Sequence, residues 1–299
     1  MKQEHLIAAV GPESLEKLIV IGGMHGNEKS GLEAIERVLG KLKDKEHLLK
    51  KRVYFLKGNL KALKNNERFV DIDLNRIWSD RYLHSHNGAY DFKEFIELQA
   101  LIDDICEGAY EHCALLDLHT FSADSGIFCI PAENLKSERL ARRFGIPFIE
   151  KLAKSLPETA LNYYGEKGML SLVFEGGKHN TPEATDNLER AIWLMMWYFD
   201  VISSDDFPHV KPMQRYLVDL SVDLPHRLEM VYHHKLKDYH HYRMHPGYYN
   251  FKAIAENEEV AIQNGKPVFT SMSGFMLMPL YQKKGSDGFF IVKEIKNSN

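Results

Sequence analysis

The chain has 299 residues, of which 44% are hydrophobic and 27% charged, and its formal net charge is −4 with histidine neutral. This composition excludes a disordered chain, and neither the charge nor a basic run indicates a nucleic-acid partner. No apolar run approaches the roughly 20 residues that span a bilayer, so we expect a cytoplasmic protein without a membrane partner. Cys106, Cys113 and Cys129 lack the paired spacing of zinc thiolates, and we expect them to be reduced and mostly buried.

Predicted strands and helices alternate over residues 1–205. Short apolar runs predict strands at 18–21, 53–56, 114–118 and 170–174. Helical spacing of apolar residues follows from Lys29, across 92–105 and from Pro182. This alternation favours an α/β fold with a mixed, mostly parallel sheet covered by helices. Over residues 206–299, short strand-like runs separated by "NG", "SG" and "GSDG" predict a smaller β-rich C-terminal domain.

The first strand ends in Gly22 and Gly23, and His25 and Glu28 follow at once. Glycines let the chain turn where side chains would clash, so both side chains are expected in the loop or first turn before the helix. An imidazole nitrogen and a carboxylate presented to one point suit Zn²⁺. Taken alone, the same pair also fits a helix cap and a surface charge.

His119 ends a second apolar strand, in "LLDLHT". Together with His25 and Glu28 it makes a His₂Glu set, which with an open fourth position is a catalytic zinc pattern. Asp117 precedes His119 by two residues on the same strand face. Its carboxylate either holds an imidazole N–H behind the metal or caps a neighbouring turn.

Glu175 lies between the apolar run "LSLVF" and two glycines. A carboxylate buried there without a partner would be costly. Zinc hydrolases need a carboxylate that does not bind the metal, because it takes a proton from the attacking water and passes it to the leaving nitrogen. We therefore favour a catalytic role over that of a satisfied core carboxylate.

Asn75 and Arg76 are adjacent polar residues within "DIDLNRIW". An arginine held beside apolar walls is suited to bidentate capture of a substrate carboxylate. A salt bridge from Arg76 to Asp73 or another acid explains the pattern equally well.

The four motifs "GGMHGNE", "DIDLNRIW", "LLDLHT" and "LVFEGG" resemble, in order and rough spacing, the succinylglutamate desuccinylase and aspartoacylase family, a branch of the zinc carboxypeptidase-like fold. The resemblance covers residues 18–205, and the C-terminal part is similar to the family's second domain. It implies one Zn²⁺ per chain and an N-acyl amino acid substrate. The residues implied are His25, Glu28 and His119 for zinc, Glu175 as general base and acid, and Asn75 and Arg76 for the substrate carboxylate.

The chain departs from the family's pattern at two basic positions. Aspartoacylases have an asparagine-proline-arginine run whose arginine stabilises the oxyanion, whereas this chain has "NLK", so either Lys61 or Arg68 serves or that role is missing. Before the catalytic glutamate, where aspartoacylases carry a substrate-binding arginine, "YYGEKGML" offers only Lys167. Because that arginine is absent, N-acetylaspartate is not expected to be the best substrate. Tyr281 is similar to a family tyrosine that reaches the active site.

Five histidines cluster near the predicted domain junction. They fit either a second metal site or structural packing between the domains. They are His233, His234, His240, His241 and His245. Adjacent pairs point to opposite faces of a strand, which favours packing.

These observations predict a zinc-dependent amidohydrolase that removes the acyl group from a small N-acyl amino acid. One alternative is a zinc carboxypeptidase, in which Arg76 would clamp the terminal carboxylate of a peptide. Another is a carboxylate-binding protein that has lost turnover, although a decayed enzyme has no reason to keep all four of the metal and proton-transfer residues. The sequence leaves a homo-oligomer open.

Overall fold

The computed structural model describes residues 2–83, 88–237 and 239–295. The α-helices in these residues are α1 (Lys2–His5), α2 (Ser30–Leu42), α3 (Leu60–Asn65), α4 (Tyr90–Cys106), α5 (Leu135–Phe144), α6 (Leu152–Ser155), α7 (Ala160–Glu166), α8 (Pro182–Tyr198) and α9 (Val210–Asp219). The short 3₁₀ helices are Glu46–Leu48, Leu74–Arg76, Asp80–Tyr82 and Tyr110–His112. None of the helices in the described ranges has the length and apolar character needed to cross a bilayer.

The strands of the described residues form one large sheet and one small one. They are β1 (Leu6–Val10), β2 (Lys17–Gly22), β3 (Arg52–Lys57), β4 (Cys113–Phe121), β5 (Phe128–Pro131), β6 (Phe148–Glu150), β7 (Leu170–Lys178), β8 (Arg227–Lys235), β9 (Tyr242–Met244), β10 (Ala253–Ile254), β11 (Glu259–Gln263), β12 (Lys266–Phe269), β13 (Gly274–Leu277) and β14 (Asp287–Glu294). The large sheet has the order β1-β3-β2-β4-β7-β5-β6-β8-β14-β13-β10, and the small one β12-β11-β9.

Strands β3, β2, β4 and β7 run parallel at the centre of the large sheet, while β8, β14, β13 and β10 pair antiparallel. The predicted α/β fold, with a mixed sheet and a β-rich C-terminal part, is confirmed. The C-terminal strands continue the large sheet through the parallel pairing of β6 with β8. The domain boundary near residue 205 stays a prediction.

The apolar strands are explained by helices on both faces of the sheet. In β2, Leu18 and Val20 belong to the core formed with α2 and α8, whereas Ile19 and Ile21 belong to the core formed with α4 and α7. A strand covered on both sides needs apolar residues at every position, and β2 is buried throughout. The three cysteines are free and buried, as expected.

The parallel strands place their carboxyl ends at one edge of the sheet. Gly22 at the end of β2 pairs with Leu118 in β4, and the next residue of β4, His119, pairs with Glu175 in β7. Side chains that follow or end these strands therefore converge at one place, the usual position of a site in α/β sheets.

Candidate metal centre and active site

Two glycines shape the loop between β2 and α2. Gly23 has a φ of +75°, which side-chain-bearing residues rarely adopt, and a Cβ there would lie 2.8 Å from Leu63. At Gly26 a Cβ would approach the backbone of Ala62 to 2.0 Å. The loop thus packs tightly against α3, and it carries the side chains of His25 and Glu28, which are both buried.

His25, Glu28 and His119 form a buried group that can hold one metal ion. The Nδ1 atom of His25 lies 2.8 Å from Oε1 of Glu28, and Nδ1 of His119 lies 3.3 Å from Oε2 of the same carboxylate. One potential ligand atom from each of the three residues lies within 4.8 Å of the others. In the described ranges no other group of histidine, cysteine and acidic side chains meets this criterion.

The other nitrogen of each imidazole faces an aspartate. The Nε2 atom of His25 lies 3.1 Å from Oδ1 of Asp73, and Nε2 of His119 lies 2.9 Å from Oδ2 of Asp117. Such carboxylates behind ligating histidines fix the orientation of the ring and raise the basicity of the nitrogen that binds the metal. Asp117 was expected from its spacing, but Asp73 was not assigned to His25 by the sequence.

The charges of these side chains favour a cation at the centre of the group. Burial alone would raise the pKa of Glu28, but the charge of His25 and hydrogen bonds from both imidazoles hold that pKa well below its usual range. Burial would lower the pKa of His119, but Asp117 and Glu28 hold it well above the usual value. A metal ion bound to the two Nδ1 atoms would place a positive charge beside the Glu28 carboxylate, so the donor set of two imidazoles and one carboxylate fits a dication.

Arg68 is the basic residue that reaches this group. Its Nε and Nη2 atoms lie 3.1 and 3.0 Å from Oδ2 of Asp73, and its Nη1 atom lies 3.5 Å from Oε1 of Glu28. Although burial would raise the pKa of Asp73, the Arg68 guanidinium holds it well below the usual range. Lys61, the other candidate, has its Nζ 5.0 Å from the centre of the Tyr90 ring and does not line the cleft.

Glu175 stands beside His119 on the neighbouring strand and is 6% exposed. Burial raises the pKa of its carboxyl to about 8. Its Oε2 atom has no hydrogen-bond partner among the residues that the structure describes. A carboxyl group with a raised pKa and an oxygen without a partner, facing a cleft, has the properties of a proton-transfer residue.

Asn75 and Arg76 lie in the 3₁₀ helix that Asp73 caps, and both line the cleft. The Nη2 atom of Arg76 donates to Oδ2 of Asp287 at 2.6 Å, and its Nη1 donates to the Asn75 carbonyl at 2.7 Å. The Oδ1 atom of Asn75 accepts from the Ala160 N–H at 3.0 Å. The acid bound to Arg76 is therefore Asp287, in the C-terminal part of the chain, rather than Asp73.

Lys167 and Tyr281 lie outside the lining of the cleft. The Nζ of Lys167 lies 4.9 and 4.6 Å from the ring centres of Tyr110 and Tyr163. The Tyr281 hydroxyl donates to the His245 carbonyl at 2.6 Å, and the ring is 40% exposed. The substrate contacts expected of these two residues remain predictions without a supporting contact.

The C-terminal histidines contact residues other than a metal group. His233 contacts Asp287 at 2.8 Å, His234 stacks on Phe289, and Nε2 of His245 contacts Glu259 at 2.9 Å. These contacts agree with the packing role favoured for them.

The cleft is lined by both polar and apolar side chains. Its charged and polar lining consists of His25, Glu28, Arg68, Asn75, Arg76, His119, Thr120, Ser122, Thr159, Glu175, Gln282 and Asp287. Its apolar lining consists of Phe121, Ile130, Ala153, Leu156, Leu161, Val173, Met278, Pro279, Leu280 and Phe290. Residues from the C-terminal part therefore complete a cleft whose reactive groups come from the N-terminal part.

Comparisons with known proteins agree with this geometry. A model of the succinylglutamate desuccinylase/aspartoacylase catalytic domain matches residues 14–191. A succinylglutamate desuccinylase of Pseudomonas paraeruginosa is 29% identical over 192 residues, which is 60% of this chain and 57% of that protein. Another from Ectopseudomonas mendocina is 26% identical over 267 residues, or 84% of this chain and 78% of that protein.

The matches differ in how much of each relative they cover. The chain spans little more than half the length of the first of these relatives. A solved structure of a succinylglutamate desuccinylase/aspartoacylase from Rhodobacter sphaeroides has a TM-score of 0.66 and 15% identity, covering 97% of this chain and 88% of that one. At this identity the likeness shows the fold. Since the catalytic-domain model matches more than half of the sequence, the chain belongs to the succinylglutamate desuccinylase/aspartoacylase family.

Proposed function

We propose that the protein is a zinc-dependent amidohydrolase that removes the acyl group from a small N-acyl amino acid. The observation that carries this proposal is the convergence of three features in one cleft. A buried His₂Glu group, a carboxyl oxygen of Glu175 without a partner, and the guanidinium of Arg68 all line it. Membership of the family supports the same reaction class.

The residues that would hold one zinc ion per chain are His25, Glu28 and His119. Two imidazole nitrogens and one carboxylate leave a fourth position open, as in catalytic zinc sites. When bound, the ion would supply Lewis-acid polarisation of the scissile carbonyl and would acidify the attacking water. Asp73 and Asp117 would keep the two imidazoles oriented toward it.

Glu175 would take part in two proton transfers, one when water attacks the amide carbonyl and one when the carbon–nitrogen bond breaks. In its ionised form, Glu175 would accept the proton of the attacking water at Oε2, and the same oxygen would then deliver that proton to the leaving nitrogen. A carboxyl group with a raised pKa holds a proton more readily between these two steps than one in water. The buried surroundings of Glu175 therefore suit its proposed role.

Arg68 would stabilise the negative charge that develops on the carbonyl oxygen. Asp73 fixes the guanidinium through two contacts at 3.1 and 3.0 Å, so it does not have to reorganise during the reaction. Asn75 and Arg76 would bind the α-carboxylate of the substrate. A guanidinium has five N–H donors, and Arg76 uses one for Asp287 and one for the Asn75 carbonyl.

We expect Arg68→Ala to lower kcat by about 100-fold, the usual scale for losing one oxyanion-stabilising donor. Lys61→Ala is the matched control, since it removes a basic side chain outside the cleft. Zinc content should be measured on each sample, because Arg68 also contacts Asp73 behind His25. Equal losses in both variants, or an unaffected Arg68→Ala enzyme, would contradict the assignment of Arg68.

A substrate panel tests the proposed function itself. We expect hydrolysis of N-acetyl, N-formyl or N-succinyl amino acids by a protein that carries about one zinc per chain. We also expect N-acetylaspartate to have a lower kcat/KM than N-acyl amino acids with a neutral side chain, because both arginines that line the cleft already contact aspartates. Turnover of peptides alone would favour the zinc carboxypeptidase, and binding without turnover would favour the inactive ligand-binding protein.

A further inference from the structure

Asp287 brings a negative charge into the cleft from the first residue of β14. Its Oδ2 accepts from Arg76 Nη2 at 2.6 Å, and its Oδ1 lies 2.8 Å from Nε2 of His233. The side chains of Arg76, Asp287 and His233 are 23%, 15% and 8% exposed. Ion pairs so little exposed to water are screened far less than those on a surface.

The charge of Asp287 is maintained by its neighbours. Burial would raise the pKa of its carboxyl, but Arg76 and His233 hold that pKa well below the usual range. The carboxylate is therefore ionised at neutral pH, and the charge of Arg76 is largely compensated before any ligand arrives. Arg76 therefore binds one carboxylate through its remaining N–H donors, and a second carboxylate would gain no net positive charge from it.

Among the described side chains that line the cleft, Arg68 is the one arginine besides Arg76, and none is a lysine. Arg68, the other arginine of the lining, contacts Asp73 and Glu28. The lining also includes apolar side chains, among them Ile130, Leu161 and Phe290. A carboxylate placed against these side chains would lose its hydration without gaining a partner, and it would be repelled by Asp287.

We propose that Asp287 is a specificity-determining residue that excludes N-acyl amino acids with a side-chain carboxylate and restricts the cleft to those with a neutral, apolar side chain. The inference rests on the proposed function for its ligand class. Selectivity of this kind arises from an unfavourable contact with the rejected ligand, in addition to favourable contacts with the accepted one.

Ligand binding tests this inference separately from turnover. Isothermal titration calorimetry would compare the binding of N-acetyl-L-leucine and N-acetyl-L-aspartate to two zinc-loaded proteins. One carries Glu175→Gln alone, and the other carries Glu175→Gln together with Asp287→Asn. We expect Asp287→Asn to shift the ratio of the two Kd values by at least about tenfold toward N-acetyl-L-aspartate. The matched control is Asp186→Asn, which removes the acid of another 2.6 Å arginine–aspartate pair on the exposed surface of α2 and α8. It should leave the ratio unchanged.

Two outcomes would overturn the proposal. If Asp287 only ties β14 to the 3₁₀ helix of Arg76, Asp287→Asn will lower the Tm and weaken both ligands equally, leaving the ratio as it was. If Nα-acetyl-L-lysine binds more tightly than N-acetyl-L-leucine and loses this advantage in Asp287→Asn, Asp287 attracts cations instead. A shifted ratio in a protein that hydrolyses none of these compounds would support the specificity role while contradicting the proposed function.

A second measurement needs no change at Asp287. N-acetyl-L-asparagine and N-acetyl-L-aspartate have nearly the same shape and differ in the charge of the side chain. With Asp287 in place, we expect the Glu175→Gln protein to bind the asparagine derivative at least about tenfold more tightly. Equal affinities would overturn the proposal even if Asp287→Asn fails to fold.

Discussion

Replacing Glu175 by glutamine should lower kcat by at least about 100-fold while leaving the zinc content unchanged. Glutamine keeps the size of the side chain but can neither accept the proton of the attacking water nor return it to the leaving nitrogen. Glu175 is not among the three residues that can hold the metal, so its amide should not release the ion. Steady-state kinetics and metal analysis on the same preparation measure both quantities.

A matched control separates this effect from the loss of a buried charge. Glu94 is also a largely buried carboxylate, but it accepts from the Leu60 N–H and does not line the cleft. Glu94→Gln should change stability more than kcat. If Glu175→Gln stayed within about threefold of the unmodified enzyme, Glu175 would be structural and another base would be required.

The central fold could be predicted because each strand carries its own signal. Leu18 to Ile21 form a continuous apolar run because α2 and α8 cover one side of the sheet and α4 and α7 the other. This pattern is local, so it can be recognised in the sequence without knowing which helices pack against the strand. The order of strands in the sheet is not local, and the continuation of the large sheet into β8, β14, β13 and β10 left no signal in the sequence.

The metal group could be predicted for the same reason. His25 and Glu28 follow β2, whereas His119 and Glu175 lie inside β4 and β7 near their carboxyl ends, since these strands run on to residues 121 and 178, beyond the predicted ends at 118 and 174. The carboxyl ends of such parallel strands meet at one edge of the sheet. Their residue types then narrow the chemistry to a few classes. Position in the sheet and side-chain chemistry together placed these four residues, before any contact between them was known.

The partners of the basic residues could not be predicted from spacing. Asp287 lies 211 residues from Arg76, and its "GSDG" context reads only as a turn. The spacing also did not separate Lys61 from Arg68, because both precede "DIDLNRIW". What separates Lys61 from Arg68 is the direction in which each side chain points. Lys61, on α3, lies over the Tyr90 ring, whereas Asp73 holds Arg68 beside Glu28. The ion pairs of Arg76 with Asp287 and of Arg68 with Glu28 join residues far apart in sequence, and they become visible only in the folded chain.

Replacing His25 or His119 by alanine should remove most of the zinc and reduce hydrolysis to background. Each change leaves two of the three protein ligands, which are too few to retain a catalytic zinc against dialysis.

Asp117→Asn should have a smaller effect, lowering zinc affinity by about 10- to 100-fold, since the imidazole of His119 remains but loses its oriented carboxylate partner. His245→Ala is the matched control, because it removes an imidazole outside the cleft that contacts Glu259. Zinc per chain after dialysis, measured for all four variants, should therefore fall almost completely for the two ligand variants, partly for Asp117→Asn and not at all for His245→Ala. Full zinc retention in both His25→Ala and His119→Ala would show that the metal binds elsewhere in the chain, and the amidohydrolase mechanism would then lose its central group.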